Sequence, residues 1–304
     1  METRLPAPLA PGAKVAILSP ASIIRPEYVE GACATLRHMG FSPEVMPHTL
    51  GACGSFAGTH AERLSDLCRA MADPVVDAII CSRGGYGCAH LLGELDAGPS
   101  LWRRPKWLVG FSDISALHAL WGKHGISSVH ASMTKHLALG AGDPLNRRLL
   151  SLLSGNGLPP VEWTAPADAA AANRSGVATA TLRGGNLAVI SALLRTPFDP
   201  FIAGSILLLE DIAEPIYKVE RIMWQLRMSG VLGQLAGLIV GQFTDYRPSR
   251  DHDSMEKMLA RFAPDVPGPV AFGAPVGHID ANHPVLLNAT ATLRVDGARA
   301  SLSW

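Results

Sequence analysis

The sequence predicts an α/β protein of two domains: an N-terminal parallel-sheet domain and a C-terminal mixed α/β domain that ends in a β-hairpin. Three observations carry this reading. Through the first half, apolar runs of strand length alternate with amphipathic stretches of helical period. The alternation restarts near residue 179, after a stretch rich in proline and alanine. The chain then closes on alternating residues around an Asp296-Gly297 turn. A length of 304 residues also suits two domains better than one.

The elements follow in order. "KVAILSP" is a buried strand, and "PEYVEGACATLRHMG" a helix with Pro26 near its start and Gly40 at its end. "SPEVMPH" is the next strand. "HAERLSDLCRAMADP" sets Leu64, Leu67 and Met71 on one helical face and stops at Asp73-Pro74. The strand "VVDAIICS", a glycine turn "RGGYG" and the helix "CAHLLGELD" come next, then "KWLVGF" and "DISALHALWGKHG". Such alternation implies a flavodoxin- or Rossmann-like parallel sheet covered by helices. Residues 1–155 form this domain, 156–178 a linker, and 179–304 the second domain. There, "VATATLRGGNLAVISALL" reads as strand, glycine turn and helix. The strand "SILLLED", the helix "IYKVERIMWQLRMSG", the strand "LAGLIVGQF" and the helix "SMEKMLARFA" precede the terminal hairpin.

Composition narrows the function classes. Lys+Arg and Asp+Glu both number 26, so the formal net charge is zero, without the basic surplus that nucleic acid or an anionic membrane calls for. Five cysteines, scattered and without a C-x-x-C pair, give neither a disulfide framework nor a zinc knuckle and fit a reducing cytoplasm. The N-terminal residues lack a signal-peptide layout, and "SGVLGQLAGLIVGQFT" is too short and glycine-rich to span a bilayer. A cytoplasmic protein is expected.

Four places carry candidate chemistry. In "LVGFSDISALHAL" Ser112 stands where a strand turns into a helix, either as an N-cap or as a nucleophile whose oxyanion is met by the Asp113 N–H. The G-x-S-x-G elbow is incomplete, because Ile114 replaces its second glycine. "SRGGYG" offers Gly84 and Gly85 for close backbone approach to an anion, with Arg83 beside them as a carboxylate reader, or else serves as a plain tight turn. "LLLEDIAEP" ends a buried strand on Glu210 and Asp211, with Glu214 nearby; these acids either edge the strand or orient a histidine. "GAPVGHIDANHP" holds His278, Asp280 and His283, read either as metal ligands, at spacings that match no metal motif, or as a loop general base. "DHD" at 251–253 reads as exposed loop. No metal or organic cofactor is expected.

In chain order the segments "FAGTHAERLSDLCRAMADPVVDAIICSRGGYGCAHLL", "PKWLVGFSDISALHAL", "LRGGNLAVISALLRTP", "ILLLEDIAEPIYKVERIMWQL", "GLIVGQF" and "GAPVGHIDANHP" resemble the LD-carboxypeptidases (muramoyltetrapeptide carboxypeptidases) over nearly the whole chain. Microcin C immunity peptidases share the scaffold. The resemblance implies a cytoplasmic, homodimeric serine peptidase that removes the terminal D-alanine of murein tetrapeptide in cell-wall recycling. It assigns the serine of "GFSD", Ser112, the glutamate of "LLLED", Glu210, and the histidine of "VGH", His278, to a Ser–His–Glu triad. Where many relatives read roughly "HGPM", this chain has "VHASMTK", residues 129–135. An immunity-type amidase and a non-catalytic small-ligand-binding α/β protein are the alternatives.

Overall fold

The computed structural model describes residues 3–251 and 253–304; His252 of the "DHD" stretch lies outside them. In chain order the strands are β1 (Lys14–Leu18), β2 (Ser42–Val45), β3 (Val76–Cys81), β4 (Trp107–Gly110), β5 (Ser128–His130), β6 (Val161–Thr164), β7 (Gly176–Asn186), β8 (Ile206–Ile212), β9 (Gly237–Thr244), β10 (Val270–Phe272), β11 (Val285–Leu287), β12 (Thr290–Asp296) and β13 (Arg299–Ser303). The chain divides into two compact units, one of residues 1–158 with 284–286, the other of 159–283 with 287–304.

The first unit holds a six-stranded sheet of order β11-β5-β4-β3-β1-β2. Strands β2, β1, β3, β4 and β5 pair in parallel. Val15 to Leu18, Ile79 to Cys81, and Leu108 and Val109 are fully buried, which is why these strands read as continuous apolar runs rather than alternating ones. The helices start and stop where their end residues dictate. Thr59 and Glu62 form a reciprocal capping box at the start of His60–Ala72. Pro26 opens Pro26–His38, and Gly40, at φ 85°, closes it in a Schellman motif: the Gly40 N–H donates to Arg37 and the Phe41 N–H to Leu36.

This strand order reverses direction at β1 and β3. In an open parallel sheet, that reversal opens a crevice beyond the carboxyl ends of the strands, where ligands bind. The loops leaving β1 and β3 therefore meet there, and the loop leaving β4 stands beside them.

The second unit is mixed, as expected. Its sheet runs β10-β9-β8-β7-β12-β13-β6, parallel from β10 to β7 and antiparallel from β7 to β6. The Asp296-Gly297 turn joins β12 to β13 as the predicted hairpin. Two readings need correction. The stretch 156–178, expected as a linker, carries β6 and a helical turn at Ala167–Ala170. Val161 and Ala169 are buried and the Trp163 indole donates to the Phe272 carbonyl at 2.9 Å, contacts that a composition of small residues and prolines hides. The Gly184-Gly185 pair lies within β7 and makes no turn. A Cβ on Gly184 would stand 1.9 Å from the Leu208 carbonyl oxygen, so this glycine permits close pairing with β8. Among the described residues no helix is long and apolar enough to cross a membrane.

Candidate active site

In the first unit, β4 ends at Gly110, whose carbonyl is held by the His118 ring at 2.9 Å and by the Ala131 N–H at 3.1 Å. Burial pushes His118 down to about 3, so it is a neutral anchor. Two residues on, Ser112 takes φ 66°, a left-handed conformation that a side chain adopts at a cost of about 1–2 kcal/mol. It is the first residue of a 3₁₀ turn, Ser112–Ile114, which no side-chain cap closes. The N-cap reading therefore fails. A sharp strand-to-helix turn that leaves the hydroxyl uncommitted is what an exposed nucleophile requires.

The glycine turn after β3 lies against this serine. A Cβ on Gly84 would come within 2.8 Å of the Ser112 Cβ and 3.0 Å of its Oγ, so only glycine fits. The loop after β1 holds the turn from the other side. The Ser22 N–H donates to the Gly84 carbonyl at 3.2 Å, and the Ser22 hydroxyl accepts from the Tyr86 N–H at 3.3 Å. In a trans peptide the N–H opposes the carbonyl, so the Gly85 N–H points away from Ser22. Among the described residues neither the Gly85 N–H nor the Asp113 N–H has an acceptor within the protein. Arg83 is exposed and donates to the Ile23 carbonyl at 3.1 Å. Two buried cysteines flank the turn. Burial, reinforced by the Asp113 charge, raises both the Cys81 and Cys88 thiols far above their usual value, so neither supplies a thiolate.

In the second unit Glu210 and His278 come together: the His278 Nδ1 lies 2.7 Å from the Glu210 Oε2, with Glu210 fully buried and His278 partly exposed. Glycines create the room. Glu210 sits at a register shift between β8 and β9, opposite Gly241. A Cβ on Gly241 would meet the Val276 carbonyl at 2.5 Å, and one on Gly277 would stand 3.2 Å from the Glu210 Oε2. The buried Asn282 accepts from the Gly277 N–H at 3.0 Å and pins the histidine loop. A buried carboxylate beside Nδ1 is the arrangement that orients an imidazole in a catalytic triad. Glu214 pairs with Lys218 at 3.7 Å, and Asp280 is exposed. Among the described residues no group of three or more His, Cys, Asp or Glu side chains could hold a metal ion.

Asp211, next to Glu210, plays another part. Its carboxylate accepts from the Asn186 side chain at 2.8 Å, the Ala188 N–H at 2.9 Å and the Ile212 N–H at 2.8 Å. It thereby ties β8 to the helix Leu187–Ser191. Burial raises its pKa to about 6, the hydrogen bonds opposing and the Glu210 charge adding to the rise. A raised carboxyl stabilises the fold fully below the unfolded value near 4, and that contribution is lost as pH rises through about 6. The melting-temperature advantage of wild type over Asp211→Asn should therefore shrink from pH 4 to pH 7. A gap that widens over this range would contradict the assignment. Of the residues bearing on the site, the sequence reading passed over Ser22, Gly241 and Asn282. Ser22 and Gly241 bear on it through backbone contacts with residues remote in the chain, which leave no local pattern, and Asn282 through the Gly277 N–H five residues before it in the same loop.

The chain matches the LD-carboxypeptidase N-terminal domain over residues 15–131 and the LD-carboxypeptidase C-terminal domain over residues 179–293. It is 33% identical over 293 residues to a murein tetrapeptide carboxypeptidase of Pseudomonas aeruginosa, covering 92% of each chain. The crystal structure of a muramoyltetrapeptide carboxypeptidase from Oxalobacter formigenes superposes with a TM-score of 0.84 at 27% identity, over 95% of this chain and 97% of that one. The microcin C7 self immunity protein MccF shares the fold, with a TM-score of 0.85 at 20% identity over 99% and 98% of the two chains. The two family matches, one on each α/β unit, define the class as a serine-type peptidase. The chain belongs to the LD-carboxypeptidase family, and is accordingly a serine-type carboxypeptidase.

Proposed function

We propose that the chain releases the terminal D-alanine from murein tetrapeptide, with Ser112 as nucleophile, His278 as general base and acid, and Glu210 as the group that orients His278. The carrying observation is the conjunction of a strained, uncapped Ser112 against Gly84 with a histidine whose Nδ1 is held by a buried carboxylate. The names of the Pseudomonas and Oxalobacter relatives support the substrate class. In the reaction His278 Nε2 takes the Ser112 proton as Oγ attacks the last peptide carbonyl. The Gly85 and Asp113 N–H groups receive the oxyanion, each such donor being worth about 3–4 kcal/mol elsewhere. The tetrahedral intermediate collapses, His278 protonates the departing D-alanine amine, and a water activated by the same imidazole releases the tripeptide. A role in cell-wall recycling, a cytoplasmic site of action and a homodimer complete the proposal.

An exopeptidase must recognise the free terminal carboxylate, and Arg83, exposed beside the glycine turn, is the proposed reader. Amidating the terminal carboxylate of the tetrapeptide should reduce cleavage by at least about thirtyfold, the low end for losing a charge-assisted contact. Mass spectrometry of products from the free-acid and amidated peptides decides this. Equal cleavage of both, or cleavage at an internal bond, would favour an immunity-type serine amidase.

A further inference from the structure

The side chain of Asp113 has no part in the chemistry above, yet it is almost wholly buried, 4% exposed, directly after the nucleophile. Its Oδ2 accepts the Cys88 N–H at 2.8 Å. Cys88 opens the 3₁₀ turn Cys88–Leu91, immediately after Gly87 at φ 127°. The backbone from 84 to 88 is thus fixed to residues 112 and 113 at both ends, by steric contact at Gly84 and by a hydrogen bond at Cys88. The Gly85 N–H lies between these two points. Arg63, also buried, donates to the Gly87 carbonyl at 3.2 Å and the Pro20 carbonyl at 2.7 Å, and so ties the same turn to the loop after β1.

We infer that the Asp113 carboxylate is a positioning residue, which sets the glycine turn in register with the Ser112 turn so that the Gly85 and Asp113 N–H groups converge on one oxygen. A strained serine and an orphan N–H carried on separate loops have no covalent reason to stay aligned, and a misplacement of about 1 Å at a reacting centre can cost about 10²-fold. The hydrogen bond from the Cys88 N–H to Asp113 supplies the far anchor of that alignment. It needs an acceptor oxygen rather than a negative charge, and asparagine offers one in the same place.

The inference rests on Ser112 being the nucleophile, so the test separates the two. Asp113→Ala should lower kcat on the free-acid tetrapeptide at least about tenfold, with KM held within about twofold, a split expected when only transition-state contacts are lost. Asp113→Asn should recover most of the loss. Hydrogen exchange read by mass spectrometry should show the segment 84–91 deprotected in Asp113→Ala and protected again in Asp113→Asn, whereas Ser112→Ala leaves it protected. If Asp113→Ala keeps the wild-type kcat, or if asparagine rescues stability without rescuing kcat, the positioning role is wrong. If wild type and Ser112→Ala turn over alike while the exchange pattern holds, the brace stands and the serine mechanism falls.

Discussion

Ser112→Ala should lower kcat by about 10⁶-fold, the size seen when the nucleophile of a serine peptidase triad is removed, while leaving the fold intact. Ser112→Gly should abolish activity equally and yet melt higher than Ser112→Ala. The difference follows from the backbone. Alanine keeps a Cβ at φ 66°, in a conformation that costs an L-residue about 1–2 kcal/mol. Glycine relieves that cost, offset in part by its larger unfolded-state entropy, so a net gain of up to about 1 kcal/mol over alanine is expected. A residue that destabilises its own turn is retained for what its side chain does. Steady-state rates and thermal melts of the two variants check both halves. Turnover by Ser112→Ala above about a tenth of wild type would end the serine mechanism, since no other group restores a missing nucleophile to that extent.

Much of this was legible in the residues, for identifiable reasons. The parallel strands are buried on both faces and so read as unbroken apolar runs, and Thr59 with Glu62, Pro26 and Gly40 mark helix ends by local chemistry alone. The corner at Ser112 was visible because strand period gives way to helix period within three residues. What escaped was whatever depends on two remote segments meeting. β11 is a three-residue strand that joins the first sheet from near the end of the chain, and so short a run carries no period. Gly184 looked like a turn because a glycine pair usually is one; only the carbonyl of Leu208 shows why it stands inside a strand. The Asp113–Cys88 bond spans 25 residues, and nothing near either partner announces it.

The other large effect is expected at Glu210. Its Oε2 lies 2.7 Å from the His278 Nδ1, and its side chain is fully excluded from solvent. In the proposed mechanism a carboxylate there accepts from Nδ1–H, so that Nε2 takes the serine proton. The same mechanism has it stabilise the imidazolium formed when His278 takes the serine proton, an attraction strengthened by the low dielectric around a buried acid. Glutamine has the same shape but an amide that can turn its NH2 toward Nδ1. The imidazole then carries its proton on Nε2, where it cannot accept another. Glu210→Gln should therefore lower kcat about 10⁴-fold with little change in KM, the loss found where a triad carboxylate is made into an amide. His278→Ala should cost at least as much, and the double variant no more than the worse single one, because members of a triad act as a unit. The measurement is kcat and KM for the three variants, with circular dichroism to confirm that each is folded. Independent, multiplying losses would show that Glu210 and His278 act in separate steps, and a Glu210→Gln enzyme near the wild-type rate would reduce their contact to a structural ion pair.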